Sequence, residues 1–391
     1  MKIVDVCAFY APHGGGVKTY VERKLALGPA MGHEIVLIVP SDAHRVEERG
    51  PGARIVHVKA PKLIVDRRYR YFDDAEVVHR ALDSERPDFV EASSPWRTAS
   101  IVANWQGPAP RSLIMHADPL SAYAYRWFGG LAPRPAIDRG FDWFWQHLRR
   151  LGTRFDVTVS ANHDLTRRLA QGGMAGVSTI PMGIDPGIFS PDLRDTSLRR
   201  DLLARCGLGE DATLMLGIGR HSAEKRWPMV IDACVAASQR RPLGLVIVGD
   251  GRNRMQLQKH IGGNPHIHLL APVQDRKALA RVLASGDALI HGCEAETFGM
   301  VAAEAAASGL PLIVPDSGGA ATILSMGAGF DFVSGDARSA TDALDRLHLA
   351  GIGGIRAEAR ARAPGIPTID QHFEALFNRY RTLNCAEAEA A

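Results

Sequence analysis

The feature that most constrains this chain is a series of short, wholly apolar segments with helical patterns between them. Ile3–Ala8, Ile35–Val39, Phe89–Glu91, Leu113–Met115, Val157–Ser160 and Val177–Ile180 form a first series. Thr213–Ile218, Leu245–Val248, Ile267–Leu269, Ala288–Ile290 and Leu312–Val314 form a second. Runs that are apolar throughout, without polar alternation, are what strands covered on both faces look like. Strands alternating with helices imply parallel sheets joined by right-handed crossovers. The series breaks once, after Pro181, where the polar stretch Ser190–Arg200 precedes a helix at Asp201–Cys206 and a fresh start at Thr213. The expectation is therefore two α/β domains, each a doubly wound parallel sheet, spanning residues 1–190 and 191–366. A length of 391 residues suits two such domains, and no short-period repeat suggests a solenoid. Residues 367–391 read as an amphipathic helix, Ile369–Tyr380, expected to pack back on the first domain, followed by a frayed Ala/Glu tail.

Charge and cysteine content exclude several classes. Lys plus Arg number 46 against 43 Asp plus Glu, so the basic excess of a nucleic-acid binder is missing. Met1–Val6 lacks the basic flank and long apolar run of a secretory signal, and no apolar stretch approaches the roughly 18 residues of a spanning helix. Five scattered cysteines without a C-x-x-C pair read as reduced, structural thiols. Glycine is over-represented at 39 residues, and many of these lie at strand–helix junctions.

Three of those junctions carry charge or free backbone. The first strand runs into Gly14-Gly15-Gly16-Val17 and a helix with Val17, Val21 and Leu25 on one face. Such a loop brings backbone N–H groups to an anion, although a tight turn without a ligand is the simpler alternative. It matches neither G-x-G-x-x-G with its acidic partner, which argues against a Rossmann oxidoreductase, nor a Walker A loop. After Thr213–Ile218 come Arg220 and Lys225, two cations at the carboxyl edge of a sheet, suited to a diphosphate or else to a solvated loop. After Ala288–Ile290, Glu296 and Glu304 flank Thr297-Phe298-Gly299-Met300, where the backbone turns into an Ala-rich helix. A glutamate among small apolar residues is costly to bury without a donor, which ligand hydroxyls would supply; exposed glutamates are the alternative.

Together, Gly14–Val17, Met182-Gly183-Ile184-Asp185, Gly219-Arg220 to Glu224-Lys225, Val248–Gly251, Glu296–Gly299 to Glu304-Ala305 and Asp316–Gly319 resemble the retaining GT-B glycosyltransferases of family 4. The resemblance covers nearly the whole chain. It implies two Rossmann-like domains facing across a cleft, with a nucleotide-diphosphate sugar as donor substrate. Gly15, Gly16, Arg220 and Lys225 would hold the diphosphate. Glu296, Thr297, Phe298, Gly299 and Met300 would grip the donor sugar, Glu304 the ribose, and Val273 would lie by the base. His116, at the end of an N-domain strand, would stand beside the sugar as a catalytic group together with Glu296.

The resemblance further implies transfer with retention to a glycan or lipid-linked acceptor, in polysaccharide or cell-envelope assembly. Tyr20, Arg67 and Arg68 are the acceptor candidates. Mannose from GDP-mannose is the first expectation for the donor and a UDP-hexose the alternative. A catalytically silent glycan-binding homologue is the rival from another class. The chain contains no Asp-x-Asp, so no metal and no cofactor are expected. The expected location is cytoplasmic, with peripheral attachment to the inner membrane face left open. The segment Phe141–Arg150 mixes aromatic and cationic residues; core packing is the favoured reading over an interfacial helix.

Overall fold

The computed structural model describes residues 1–10, 16–63, 69–118, 120–128 and 131–390. The chain divides into two compact units. One comprises Met1–Asp118, Trp127–Pro181 and Ile369–Ala391; the other comprises Pro119–Arg126 and Met182–Thr368.

The first unit is built on an eight-stranded sheet. Its strands are β1 (Lys2–Val6), β2 (Glu34–Ser41), β3 (Arg45–Gly50), β4 (Ala53–Lys59), β5 (Phe89–Ala92), β6 (Arg111–Met115), β7 (Val157–Ser160) and β8 (Val177–Thr179). Their order is β3-β4-β2-β1-β5-β6-β7-β8, so the winding reverses between β1 and β5. All pairings are parallel except β3 with β4, which is antiparallel. That strand corrects the expectation of a purely parallel sheet. Its sequence, Arg-Val-Glu-Glu-Arg-Gly, is largely exposed and carries no apolar run, so nothing in its hydropathy marks a strand. β4 was hidden for a related reason: its half-buried alternation includes Arg54 and His57.

The second unit holds a six-stranded, wholly parallel sheet of β9 (Thr213–Ile218), β10 (Leu243–Val248), β11 (Ile267–Leu270), β12 (Ala288–Ile290), β13 (Leu312–Pro315) and β14 (Gly329–Phe332). The order β11-β10-β9-β12-β13-β14 is that of a dinucleotide-binding sheet, reversing between β9 and β12. β9, β10, β12 and β13 are buried at every position, as all-apolar strands between two helical layers must be. Trp227 is the largest fully buried side chain, and the helix Trp227–Ser238 shares its core with β9, β10 and the helix Ala337–Leu349.

The helix Ile369–Ala390 lies in the first unit. Phe373, Leu376, Phe377 and Tyr380 are all at most 1% exposed, at the spacing of one helical face. Burial of such side chains contributes on the order of 1.5–3 kcal/mol each. Tyr380 stacks on Phe89 of β5, with ring centroids 3.9 Å apart. The alternating Ala and Glu after Cys385, expected to fray, continue the helix, and both are strong helix formers. The helix Asp142–Gly152 buries Phe144, Trp145 and Leu148 and leaves Trp143 59% exposed, so most of its aromatic bulk serves the core.

Among the described residues, no helix is long and apolar enough to cross a membrane. All five cysteines are free, and four of them are buried.

Candidate functional site

In open α/β sheets, ligands bind beyond the carboxyl ends of the strands where the winding reverses. In the second unit this point lies past β9 and β12, and the residues singled out by sequence collect there. β9 ends at Ile218; Gly219, Arg220, His221 and the short turn Ala223–Lys225 follow. β12 ends at Ile290, and His291 leads on to Glu296 and the helix Met300–Ala307.

The Lys225 ammonium contacts Glu296 Oε1, joining the two strand ends. Burial pulls the Lys225 pKa below its ordinary value. The other carboxylate oxygen, Oε2, lies 3.5 Å from His291 Nε2. His291 is held well below its usual range, first by burial and then by the Lys225 charge, so the ring is neutral at neutral pH. His221 is fully buried and likewise lowered, chiefly by burial. Neither of its ring nitrogens, nor His291 Nε2, has a hydrogen-bond partner among the described residues. Buried polar atoms are rarely left unpaired, so three of them around one switch point mark a place built for a polar ligand.

Arg220 behaves differently from Lys225. Its side chain is 80% exposed and lies 3.6 Å from Glu224, free to follow a ligand rather than fixed in the wall. The next cation, Arg226, adopts a left-handed backbone with φ +50° and donates from Nε to Glu294 Oε2 at 2.8 Å. Neither Arg226 nor its partner was assigned a role from sequence.

Backbone geometry at the helix start depends on glycine. Gly299, the residue before Met300–Ala307, has φ +81°, and no side chain caps the helix. Gly318 has φ +82°, and a Cβ there would lie 2.2 Å from the Glu294 carbonyl oxygen. Gly319 donates its N–H to the Glu296 carbonyl at 2.8 Å. The loops after β12 and β13 are thereby pressed together, leaving the first-turn N–H groups without a side-chain acceptor. The Phe298 side chain is 3% exposed, so of that residue only the backbone can face a ligand. Thr297 and Met300 are half-buried.

Glu304 is 3% exposed, and its partner is a protein group: Arg276 Nη2 lies 2.7 Å from Oε1. Burial raises the Glu304 pKa and Arg276 opposes the rise. The donor thought to come from ligand hydroxyls is thus supplied at least once by the chain itself. Val273 is half-buried in the turn between β11 and the helix Arg276–Ser285. His291, Cys293 and Glu296 place ligand atoms within 4.8 Å of one another, a spacing a metal ion can bridge. Lys225 already occupies that carboxylate, so a divalent cation would have to share it with an ammonium.

The remaining candidates belong to the first unit. His116 follows β6; its Nε2 lies 3.3 Å from Ser93 Oγ, and its ring meets Tyr20 edge-on at 4.8 Å. Burial brings its pKa down to about 4, so near neutral pH it offers a neutral imidazole. Tyr20 corrects an expectation. It is 3% exposed, its hydroxyl lies 3.0 Å from His372 Nε2, and its ring packs on Phe373. The inward face of the helix Gly16–Leu27 buries it, so among the described residues it serves packing and leaves little surface for an acceptor. Gly16 opens that helix, with no atom of the described residues within 4 Å of where a Cβ would stand. Gly15, Arg67 and Arg68 lie outside the described residues.

Behind these groups sits a buried charge cluster. Asp5 of β1 and Glu91 of β5 are partners in register, and Lys24 bonds both at 2.7 Å. Tyr380 donates to Glu91 and Ser93 donates to Asp5. Burial works against the Lys24 charge, but the two carboxylates outweigh it and hold the ammonium well above its usual range.

Two family descriptions match, one in each half: Glycosyltransferase Family 4 over residues 14–187 and Glycosyl transferases group 1 over residues 200–362. Together the two matches span most of the chain, which is a glycosyltransferase. A Mycobacterium tuberculosis protein named GDP-mannose-dependent alpha-(1-6)-phosphatidylinositol dimannoside mannosyltransferase is 28% identical over 84% of this chain and 83% of its own length. A GDP-mannose-dependent alpha-mannosyltransferase of Mycolicibacterium smegmatis is 29% identical over 82% of this chain and 80% of its own. Among solved structures, sucrose-phosphate synthase from Thermosynechococcus elongatus aligns with a TM-score of 0.75 at 18% identity, covering 99% of this glycosyltransferase and 100% of that chain. WaaG, a glycosyltransferase involved in lipopolysaccharide biosynthesis, aligns with a TM-score of 0.67 at 17% identity, covering 95% and 98%. The fold is GT-B, with two Rossmann-like parallel-sheet domains.

Proposed function

We propose that this glycosyltransferase moves mannose from GDP-mannose, with retention and without a metal, to a glycan or lipid-linked acceptor. The observation that carries the reading is the Lys225–Glu296 contact at the switch point, next to a helix start with no side-chain cap. Glycosyl transfer breaks the C1–O bond of the donor through an oxocarbenium-like state, and negative charge gathers on the departing diphosphate. Lys225 supplies a fixed positive charge for it, Arg220 a mobile one, and the first-turn N–H groups of Met300–Ala307 add the helix dipole. Groups aimed at charge that grows during the reaction lower the barrier rather than merely tightening binding. Glu296 accepts from the sugar hydroxyls and Glu304 from the ribose. In the retaining route the attacking hydroxyl approaches on the leaving-group face and gives its proton to the donor phosphate.

The choice of mannose is supported by the relatives named above, which match along more than four-fifths of the chain. A cytoplasmic protein acting at the membrane face would suit a mannosylated lipid acceptor such as the phosphatidylinositol dimannoside in the first relative's name. The test is incubation with a panel of nucleotide sugars, with and without lipid extract, following release of nucleoside diphosphate. GDP release from GDP-mannose is expected. Lys225→Ala should lower turnover by about two to three orders of magnitude. Silence with every donor would overturn the enzyme reading, release from a UDP-hexose alone would overturn mannose, and loss of activity in EDTA would overturn metal independence. Anomeric analysis of the product decides retention.

A further inference from the structure

Arg276 was assigned no role by sequence, yet it touches the most buried carboxylate of the second unit's ligand edge. Its guanidinium lies 2.7 Å from Glu304 Oε1, 3.6 Å from Asp185 Oδ2 and 4.9 Å from the centre of the Phe189 ring. Asp185 and Phe189 belong to the segment that follows Met182-Gly183-Ile184, a motif for which the proposed reaction has no use. That segment is itself anchored, since Ile184 donates its N–H to the Pro367 carbonyl at 3.0 Å. An anion below, a ring face beside and a second carboxylate fix the direction of a side chain that is otherwise 40% exposed.

We propose that Arg276 is a positioning residue for the donor nucleotide, holding Glu304 ionised and turned so that its carboxylate accepts from the ribose hydroxyls. The inference rests on the ribose reading of Glu304. Its physical basis is the cost of keeping a carboxylate charged at 3% exposure, which one charge-assisted bond to Oε1 offsets. Among the described residues, Arg276 is the ion-pair partner of Glu304, and Asp185 is the other charge that bears on it. Asp185 and burial favour the protonated acid, whereas Arg276 alone opposes them. Without Arg276 the carboxylate would take up a proton at higher pH and lose the acceptor that the ribose needs. Asp185 and Phe189 then acquire a purpose: they aim the guanidinium.

The test is calorimetric binding of GDP and of 2′,3′-dideoxy-GDP to the full-length protein and to its Arg276→Gln, Arg276→Lys and Glu304→Gln variants. Readings are taken between about pH 5.5 and 8.5, because a carboxylate that loses its cationic partner takes up its proton at higher pH. The wild type should prefer GDP over the dideoxy analogue by about tenfold, the worth of one good hydrogen bond. Arg276→Gln should shrink that preference, most strongly at the acid end. Arg276→Lys should restore part of it, and the dideoxy analogue should bind all variants alike. If Glu304→Gln keeps the full preference, the ribose reading itself fails. If Glu304→Gln loses it while Arg276→Gln keeps it, or loses it equally at every pH, Glu304 stands and the role of Arg276 is overturned.

Discussion

Single residues in this protein carry charge in two ways. Lys225 and Arg276 sit where a ligand would share their charge, whereas Lys24 is 1% exposed and serves the fold. Two carboxylates facing each other across β1 and β5 would repel in a dry interior, and one ammonium holds them together. Lys24→Met should therefore cost about 3–5 kcal/mol of unfolding free energy, because it leaves two buried acids without their cation. Urea denaturation measures it, and a loss below about 1 kcal/mol would mean that Tyr380 and Ser93 suffice. Residue types and spacing alone pointed to Lys225, Glu296 and Glu304, because each follows a recognisable strand by a short, fixed interval. Arg276, Arg226 and Glu294 stayed hidden, because their partners come from other elements and no local spacing encodes a contact across the sheet. His291 could have been found: it is the first residue after an all-apolar strand at the switch point.

At the scale of elements, the glycine-rich junctions have a different purpose from the one their composition suggests. An excess of glycine at strand–helix junctions suggests room for an anion. At Gly249 a Cβ would stand 2.0 Å from the Gly219 carbonyl, and at Gly318 it would meet Glu294. These glycines let one loop lie on the next, and the ligand edge is shaped as a consequence. Gly318 and Gly263 have similar φ of +82° and +80°, the first against backbone and the second with no described atom within 4 Å. Changing either to Ala strains the backbone by about 1–3 kcal/mol, more at Gly318, whose ψ of −166° lies where essentially only glycine is found. Gly318→Ala should lose a further 1–3 kcal/mol, roughly the cost of overpacking, and should weaken GDP binding with it. Equal denaturation midpoints for the two variants would refute the packing argument. Strands with unbroken apolar runs were legible from sequence because burial on both faces leaves only one kind of side chain. β3 and β14 were not, since edge strands are paired on one side and keep polar residues such as Glu47 and Asp331.

For the molecule as a whole, pH acts through imidazoles held neutral. His116 and His372 both have their pKa brought down to about 4, in each case chiefly by burial. An unfolded histidine binds its proton near pH 6.5. Below that value the unfolded chain therefore takes up protons that the folded one refuses, and stability is lost as pH falls from about 6.5 to about 4. Each such group contributes up to about 1.4 kcal/mol per pH unit, and His291 and His221, lowered by burial as well, steepen the slope further. Denaturation midpoints across that window check it; His372→Gln should reduce the slope by up to about 1.4 kcal/mol per pH unit, and a flat profile would show that the rings protonate in place.

The helix Ile369–Ala390 seals the first unit, yet the ribosome makes it only after all of Met182–Thr368. At about 5–20 residues per second, the nascent first unit waits roughly ten to forty seconds with Phe89 and Glu91 uncovered. For that interval the nascent first unit presents an apolar face, open to a chaperone or to aggregation before its own last helix can close it.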